Sequence, residues 1–397
     1  MTKLANALTH EEAVQRAQEL AAKIKPRFKV TEEISRQPEE TIEELRETGL
    51  VHAMVPKRWG GSELDFNTLF RTAIEIAKAD PSTGWIYTLA VVHAWQLAFF
   101  PEEAQAEVWE KNLDAIIASS FAPLKNEITP VEGGYKVTGT WGFSSGITHS
   151  DYIMAQGNLN VNPETGLPSD IILMLIPKED FKVQNTWKTV AQRGTGSNNV
   201  YLEDVFVPNY RTLDLAKWCQ TGVAPGQSIN TNVLYTHPLY AAMPVCLTSA
   251  LLGASIGAYE FWRDGLRSKV STRGAKVAHF THTQIRLAEV SAQLAAAEAL
   301  LEKSVERLGT GEPIDTHEKL RIRRNYGYVA RMCNQAVKTI VDNSGAGIVY
   351  EGHPMNRYWR DVQASSMHIT FNFDWLGEMF GKIELGLELS PKDAMIS

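Results

Sequence analysis

Near Asp114 the periodicity of the chain changes, and that change bounds the fold more tightly than any single motif. Upstream, from residue 10 to about 115, the pattern is helical. Glu11–Lys25 closes on Pro26, Glu39–Thr48 closes on Gly49, and Phe66–Ala79 follows. Asp80-Pro81-Ser82-Thr83 then opens a helix that runs through Trp85, Ile86 and Leu89 toward His93 and Trp95. Downstream, Ala115–Phe121, Tyr135–Phe143, Tyr152–Gln156, Ile171–Ile176 and Val200–Val207 read as strands. Turn formers separate them at Glu132-Gly133-Gly134, Asn162-Pro163-Glu164-Thr165-Gly166 and Arg193-Gly194-Thr195-Gly196-Ser197. From about Leu234 the helical pattern returns, with long helices at His282–Leu308 and Lys319–Asn343 and a last one through Trp375–Leu387. The small residues of Ser249–Gly257 suit close helix packing.

This order predicts a mainly α protein in three regions: helical over 1–115, β over 116–226 and helical over 227–397. Short strands with turns between them point to a central β-barrel or sandwich, not a parallel βαβ sheet. A chain of 397 residues is also longer than one core usually supports.

Composition narrows the function by exclusion. The net charge of −7 comes without any basic block, so nucleic acid is not an expected partner. Cys219, Cys246 and Cys333 are far apart and form no metal-ligand spacing, which fits a reduced, cytoplasmic compartment. Met1–His10 lacks the pattern of a secretory leader, and no run approaches the roughly 18 apolar residues of a membrane span. No GxGxxG opens a βαβ unit, and there is no GxxxxGK[ST], HExxH or GxSxG. His279 with His282 is too weak a pair for a metal, and nothing places a Ser/His/Asp triad.

What remains is hydroxyl- and glycine-bearing loops at the ends of strands and helices. In Gly134–Gly146, alternation puts Tyr135, Val137, Trp141 and Phe143 on one face before the run ends in Ser144, Ser145 and Gly146. Such a strand can line a planar aromatic cofactor, or it can be a surface hairpin strand. Arg193–Ser197 can offer N–H groups and hydroxyls to a ligand or simply close a hairpin. Ser344-Gly345-Ala346-Gly347 can be a helix C-cap or a close approach of backbone to a ring or pyrophosphate. Arg360-Asp361 and His368 put polar groups near one helical face, where His368 is either a packed residue or a base poised near neutral pH.

These segments resemble the acyl-CoA dehydrogenase superfamily across nearly the whole chain and in the right order. The resemblance lies in Leu45–Leu50, Val55–Gly61, Ala79–Trp85, Gly134–Gly146, Arg193–Pro208 and Ser344–Asp361. It implies a helical N-terminal domain, a central β domain, a C-terminal four-helix bundle, a flavin between domains and a homotetramer. In many of the dehydrogenases a catalytic glutamate follows the Arg-Asp pair by about eight residues. Here Val362–Thr370 holds no carboxylate, and His368 stands beside the position.

The chain is more similar to the oxygenase components of two-component flavin-dependent monooxygenases of this fold, which hydroxylate hydroxyphenylacetate, steroid-derived phenols, dibenzothiophene or indole. The matching motifs are Ser119–Pro123, Trp141–Gly146, Trp187 with Arg193–Ser197, and His368. The resemblance implies that a separate NAD(P)H-dependent reductase supplies reduced FMN or FAD (FMNH2 or FADH2). With O2 this flavin forms a C4a-hydroperoxyflavin that hydroxylates a small aromatic substrate. It also implies cofactor roles for Trp141, Phe143, Ser144, Ser145, Trp187, Thr195, Gly196 and Ser197, with Ser145 near flavin N5. Arg273, Gly345 and Gly347 are candidates for its phosphate or ribose. His368 is implied as the base, and Ser120 and His93 as groups on the substrate side.

The resemblance implies that Ala241 stands where phenolic-acid relatives place an arginine, which leans the substrate toward a neutral aromatic such as indole or a phenol. An acyl-CoA dehydrogenase or oxidase is the alternative, with a flavin-free helical scaffold behind it.

Overall fold

Two aspartates start the helices against which the rest of the molecule packs. In the computed structural model, which describes residues 7–161 and 168–390, Asp65 Oδ1 accepts from Thr68 N–H at 2.9 Å and Asp80 Oδ1 from Thr83 N–H at 2.8 Å. The N-terminal helices are α1 (His10–Ile24), α2 (Phe28–Ile34), α3 (Glu39–Glu47), α4 (Phe66–Ala79), α5 (Pro81–Leu97) and α6 (Glu102–Trp109). Nearly every residue of α5 is buried, which makes it a central support and not a surface helix. The segments Met1–Asn6 and Asn162–Gly166, read above for a leader and for a turn, lie outside the described residues.

The β region is β1 (Ile117–Ser120), β2 (Pro123–Val131), β3 (Gly134–Ser144), β4 (Tyr152–Val161), β5 (Pro168–Pro177), β6 (Lys182–Gln184), β7 (Asn198–Pro208) and β8 (Thr212–Asp214). They form two four-stranded sheets, ordered β1-β4-β5-β8 and β2-β3-β7-β6. Among the described strands, only β1 and β4 pair in parallel, with Ile117 opposite Tyr152. The sheets enclose a core of Val137, Trp141, Ile153, Met174, Ile176, Val200 and Leu202.

Strand β2 escapes sequence reading because it holds Pro123 and Pro130 and is exposed along most of its length, the signature of an edge strand. Strands β6 and β8 have three residues each, too few to show alternation.

One expectation fails inside β3. Tyr135, Val137 and Trp141 do share the inner face, but Phe143 does not. The β3–β7 register shifts between Trp141 and Ser144, and Phe143 takes a positive φ of 58°. The bulge reverses the alternation, so Phe143 is 67% exposed while Trp141 is fully buried.

After β8 come α7 (Leu215–Thr221), α8 (Leu239–Ala242), α9 (Val245–Ser268), α10 (Thr281–Gly309), α11 (Thr316–Asp342), α12 (Pro354–Ser366) and α13 (Phe373–Glu384). Helices α9 to α12 pack on one another as a four-helix bundle. Helix α9 lies directly on α4. A Cβ at Gly253 would sit 2.8 Å from the Ile74 backbone, and one at Gly257 would sit 2.4 Å from the Lys78 carbonyl oxygen. Leu239–Ser268 is the one helical stretch among the described residues that is long and apolar enough to cross a membrane, but 83% of it is buried in this packing.

Candidate active site

The three regions meet at Gln192, a residue that sequence reasoning passed over. Its φ of 49° is left-handed, a conformation uncommon for glutamine. Its N–H donates to Asp361 Oδ1 at 2.5 Å and its Nε2 to Ser365 Oγ at 2.6 Å, both on α12. Its Oε1 accepts from Ser82 Oγ in the first turn of α5 at 3.2 Å. Its carbonyl accepts from Trp187 Nε1 at 2.9 Å and Thr195 Oγ1 at 2.8 Å. The only local signal was its place beside Arg193–Ser197, since glutamine as a residue type announces nothing.

Beneath Gln192 lies a buried ion cluster. Arg357 is 2.7 Å from Asp80 and 3.4 Å from Asp361, and Glu32 approaches Arg357 at 3.7 Å and Arg360 at 2.6 Å. Burial pushes the Asp361 carboxyl up to about 6, against the pull of Arg357. Asp80 therefore has two tasks, capping α5 and pairing with α12.

The loop above Gln192 carries a chain of hydroxyls. Thr195 Oγ1 lies 2.7 Å from Ser197 Oγ, which lies 2.8 Å from Ser145 Oγ. Gly146 N–H donates to Thr195 C=O at 2.8 Å, tying the end of β3 to this loop. The loop sits close to α2 and α5. A Cβ at Gly194 would meet Thr31 at 2.3 Å and Ser82 at 2.9 Å. Ser144 Oγ is buried with no hydrogen-bond partner among the described residues. Phe143 and Trp187 stand edge to face at 6.1 Å on the rim. The structure thus gathers Phe143, Ser144, Ser145, Trp187, Thr195, Gly196 and Ser197.

It does not bring Trp141 with them. That ring lies inside the β core and its Nε1 donates to Gln156 C=O at 2.7 Å, because the bulge starts only after it.

Farther along α5, His93 is buried, and desolvation lowers its pKa to about 4. Its Nδ1 is 2.7 Å from Ile117 C=O and its Nε2 is 2.8 Å from Ser119 Oγ. The serine beside His93 is therefore Ser119. Alternation along β1 turns Ser120 to the opposite side, where its hydroxyl donates to Gly142 C=O at 2.6 Å.

His368 lies one residue past the C-cap of α12, not on its face. Its ring packs against Trp85 at 5.8 Å and Phe371 at 6.2 Å. Its Nδ1 accepts from Thr370 N–H at 3.2 Å, which leaves the proton of the neutral ring on Nε2. Desolvation lowers its pKa, toward about 4. The residue as a whole is exposed, and its imidazole is neutral near pH 7.

Ala241 is buried and lines a cavity of about 450 Å³ with Trp218, His237 and Tyr240. None of Ser145, Ser197, Gln192 and His368 lines it. Arg273 sits exposed in a short hairpin closed by the Val270–Lys276 bridge. Lys269 at its base donates to Ser344 C=O at 2.6 Å, which sets the hairpin beside exposed Gly345 and Gly347. No group of three or more potential metal ligands occurs among the described residues.

Residues 8–113 match the acyl-CoA dehydrogenase N-terminal domain and residues 245–373 the acyl-CoA dehydrogenase C-terminal domain. The chain is 33% identical over 389 residues to the oxygenase subunit HsaA of a flavin-dependent monooxygenase from Rhodococcus jostii (strain RHA1), covering 96% of this chain and all of that protein. It is 34% identical over 373 residues to the oxygenase component of an FADH2-dependent resorcinol hydroxylase from Rhizobium sp. (strain MTP-10005), covering 90% of each. The crystal structure of 3-HSA hydroxylase from Rhodococcus sp. RHA1 superposes with a TM-score of 0.88 at 32% identity, over 98% of this chain and 100% of that one.

Proposed function

The chain belongs to the oxygenase components of two-component flavin-dependent monooxygenases built on the acyl-CoA dehydrogenase fold, and on that premise we propose how its residues divide the work. As such a component it works with reduced flavin and O2 to hydroxylate an aromatic compound, and a separate reductase supplies the flavin.

The residues at the end of β3 suit a flavin. Ser144 keeps a buried hydroxyl without a partner, the Ser145–Ser197–Thr195 hydroxyls offer polar contacts, and Phe143 and Trp187 offer ring edges at the rim. In our reading these residues hold the isoalloxazine, while Arg273, Gly345 and Gly347 contact its phosphate or ribose. When bound, reduced flavin supplies the activation of O2. The protein's part is to orient the aromatic ring, to keep water out and to manage the substrate's proton.

The substrate's proton is handled by Ser119 and His93. Ile117 C=O accepts from Nδ1–H of His93, so Nε2 holds a lone pair and Ser119 donates to it. Ser119 Oγ is thereby turned to accept from a substrate O–H or N–H, and that hydrogen bond polarises the substrate's O–H or N–H while buried His93 stays neutral. The ring becomes electron-rich just where hydroxylation needs it.

His368 is then a donor and not the base that the family resemblance implied. Taking a proton at Nε2 would require its ring proton to move to Nδ1, against Thr370 N–H. Its Nε2–H instead stabilises negative charge on an oxygen. Trp85 and His93 lie two turns apart on α5, roughly 12 Å along the axis, so the two imidazoles serve opposite ends of the site.

We read the substrate as a neutral phenol, or an indole. Ala241 lines a separate cavity with Lys319 and Arg323, so the reading rests on the neutral Ser119–His93 pair, which offers no charge to a carboxylate. The relative that acts on resorcinol, by its name, agrees with this reading. Exposed apolar groups on the bundle, including Val349 at 66%, Tyr350 at 74%, Met367 at 79% and Ile369 at 64%, support a homotetramer. Three free cysteines fit a reduced cytoplasmic setting. The geometry that carries the proposal is the polarised Ser119–His93 pair. Its test is turnover with an added reductase, comparing resorcinol and indole with 4-hydroxyphenylacetate. Faster turnover of the neutral compounds supports it, and preference for the acid overturns the substrate assignment.

A further inference from the structure

The hydroxyl chain at the end of β3 has a fixed direction. Gln192 C=O is only an acceptor, so Thr195, with its single hydroxyl proton, donates to it at 2.8 Å. Thr195 has then no proton left for Ser197, 2.7 Å away, and Ser197 must donate to Thr195. Ser197 has likewise none left for Ser145, 2.8 Å away, and Ser145 must donate to Ser197. All three protons point down the chain toward a backbone carbonyl. That carbonyl is itself held, because Gln192 is bonded through its N–H and side chain to Asp361, Ser365 and Ser82. The outer end, Ser145 Oγ, therefore presents lone pairs and no proton.

We propose that this directional relay makes Ser145 an obligate hydrogen-bond acceptor and that it selects the redox state of the bound flavin, with Ser197 and Thr195 as positioning residues. The inference rests on the reading above that Ser145 faces flavin N5. Reduced flavin carries a proton on N5 and donates to Ser145. Oxidised flavin has a lone pair there, and two lone pairs face each other. An oxygenase that receives flavin from a reductase and must return it oxidised gains from such a bias: the spent cofactor is rejected by the group that held the fresh one.

The two inner links separate the contact from its direction. In Ser197→Ala, Ser145 loses its acceptor and its proton rotates toward the ligand. In Thr195→Val, Ser197 loses its acceptor and donates to Ser145, which again releases the Ser145 proton outward. Thr195→Ser keeps the relay. The experiment titrates the full-length protein with oxidised FMN and FAD by flavin fluorescence, and with the dithionite-reduced forms anaerobically. It reads the ratio of the two dissociation constants, and the potential of the bound flavin gives the same ratio independently.

The wild type binds the reduced form more tightly. Ser197→Ala and Thr195→Val each lower the ratio of oxidised to reduced Kd by about tenfold, mainly by tighter binding of oxidised flavin, whereas Thr195→Ser leaves it unchanged. A gain in affinity is what mere structural damage does not produce. If Ser145→Ala changes the ratio but Ser197→Ala and Thr195→Val do not, the relay is wrong and the Ser145 contact stands. If Ser145→Ala leaves the ratio unchanged as well, the placement of flavin against Ser145 falls with it.

Discussion

Ser119 donates to His93 Nε2 across 2.8 Å, and the direction of that bond is set from behind, by Ile117 C=O at 2.7 Å from Nδ1. Strand β1 supplies both partners of the imidazole, the Ile117 carbonyl and the Ser119 hydroxyl, while Ser120, on the face opposite Ser119, bonds Gly142 C=O. Ser119→Ala should therefore lower kcat/KM for a phenol by about 100-fold, the usual contribution of a positioned proton acceptor. Ser120→Ala should leave turnover nearly intact and cost about 1 kcal/mol of stability through the lost buried hydrogen bond. A reductase-coupled product assay and a urea melt on both variants check this. Equal kinetic losses would contradict the assignment.

His93 also makes stability depend on pH. Its pKa falls from 6.5 to about 4 on folding, so between those values the unfolded chain binds more protons than the folded one. Its contribution is full above about 6.5 and is lost as pH drops toward 4, up to about 3 kcal/mol. His237 is lowered to about 4 as well and acts with the same sign. His93→Gln should flatten the loss of stability between pH 6.5 and 4, although its absolute stability is lower at neutral pH. Urea unfolding at a series of pH values gives the slope, and an unchanged slope would rule out a buried neutral His93.

His368 offers Nε2–H because Thr370 N–H occupies Nδ1 at 3.2 Å. Glutamine also presents an N–H donor at the end of its side chain but cannot act as a base at neutral pH. His368→Gln should therefore keep most of the activity, while His368→Ala should lose about 100-fold in kcat. If glutamine is as damaging as alanine, the donor role is wrong and the histidine works as a base.

Asp361→Ala would remove the acceptor of Gln192 N–H and one of the carboxylates around buried Arg357. Breaking a buried ionic cluster on one side costs about 3–5 kcal/mol, so a lower urea midpoint is expected. Because Gln192 anchors the hydroxyl loop, reduced-flavin affinity should fall in the same variant. Loss of stability without loss of flavin affinity would separate the cluster from the site.

Gly257→Val tests the α4–α9 contact. Its Cβ would lie 2.4 Å from the Lys78 carbonyl oxygen, which forces the two helices apart. A drop in Tm is expected, from about 1–3 kcal/mol of overpacking. Gly265→Ala on the same helix, where nothing lies within 4 Å, should be neutral or slightly stabilising.

The sequence by itself determined the helical, β and helical order, because hydrophobic period and capping residues act locally. Asp80 caps α5, and Phe66–Ala79 reads as a helix from its own residues. It also marked the Ser145 and Arg193–Ser197 segments, since glycines and hydroxyls at strand ends are visible in one dimension. Tertiary structure alone decided which groups converge. Gln192 bonds Ser365, 173 positions away, and a left-handed glutamine has no sequence signature. The bulge after Trp141 reversed the alternation that had grouped it with Phe143, and one step of strand parity chose Ser119 over Ser120 beside His93. Hydrogen-bond direction came last. A hydroxyl carries one proton, and where it points depends on acceptors that only folding brings into reach.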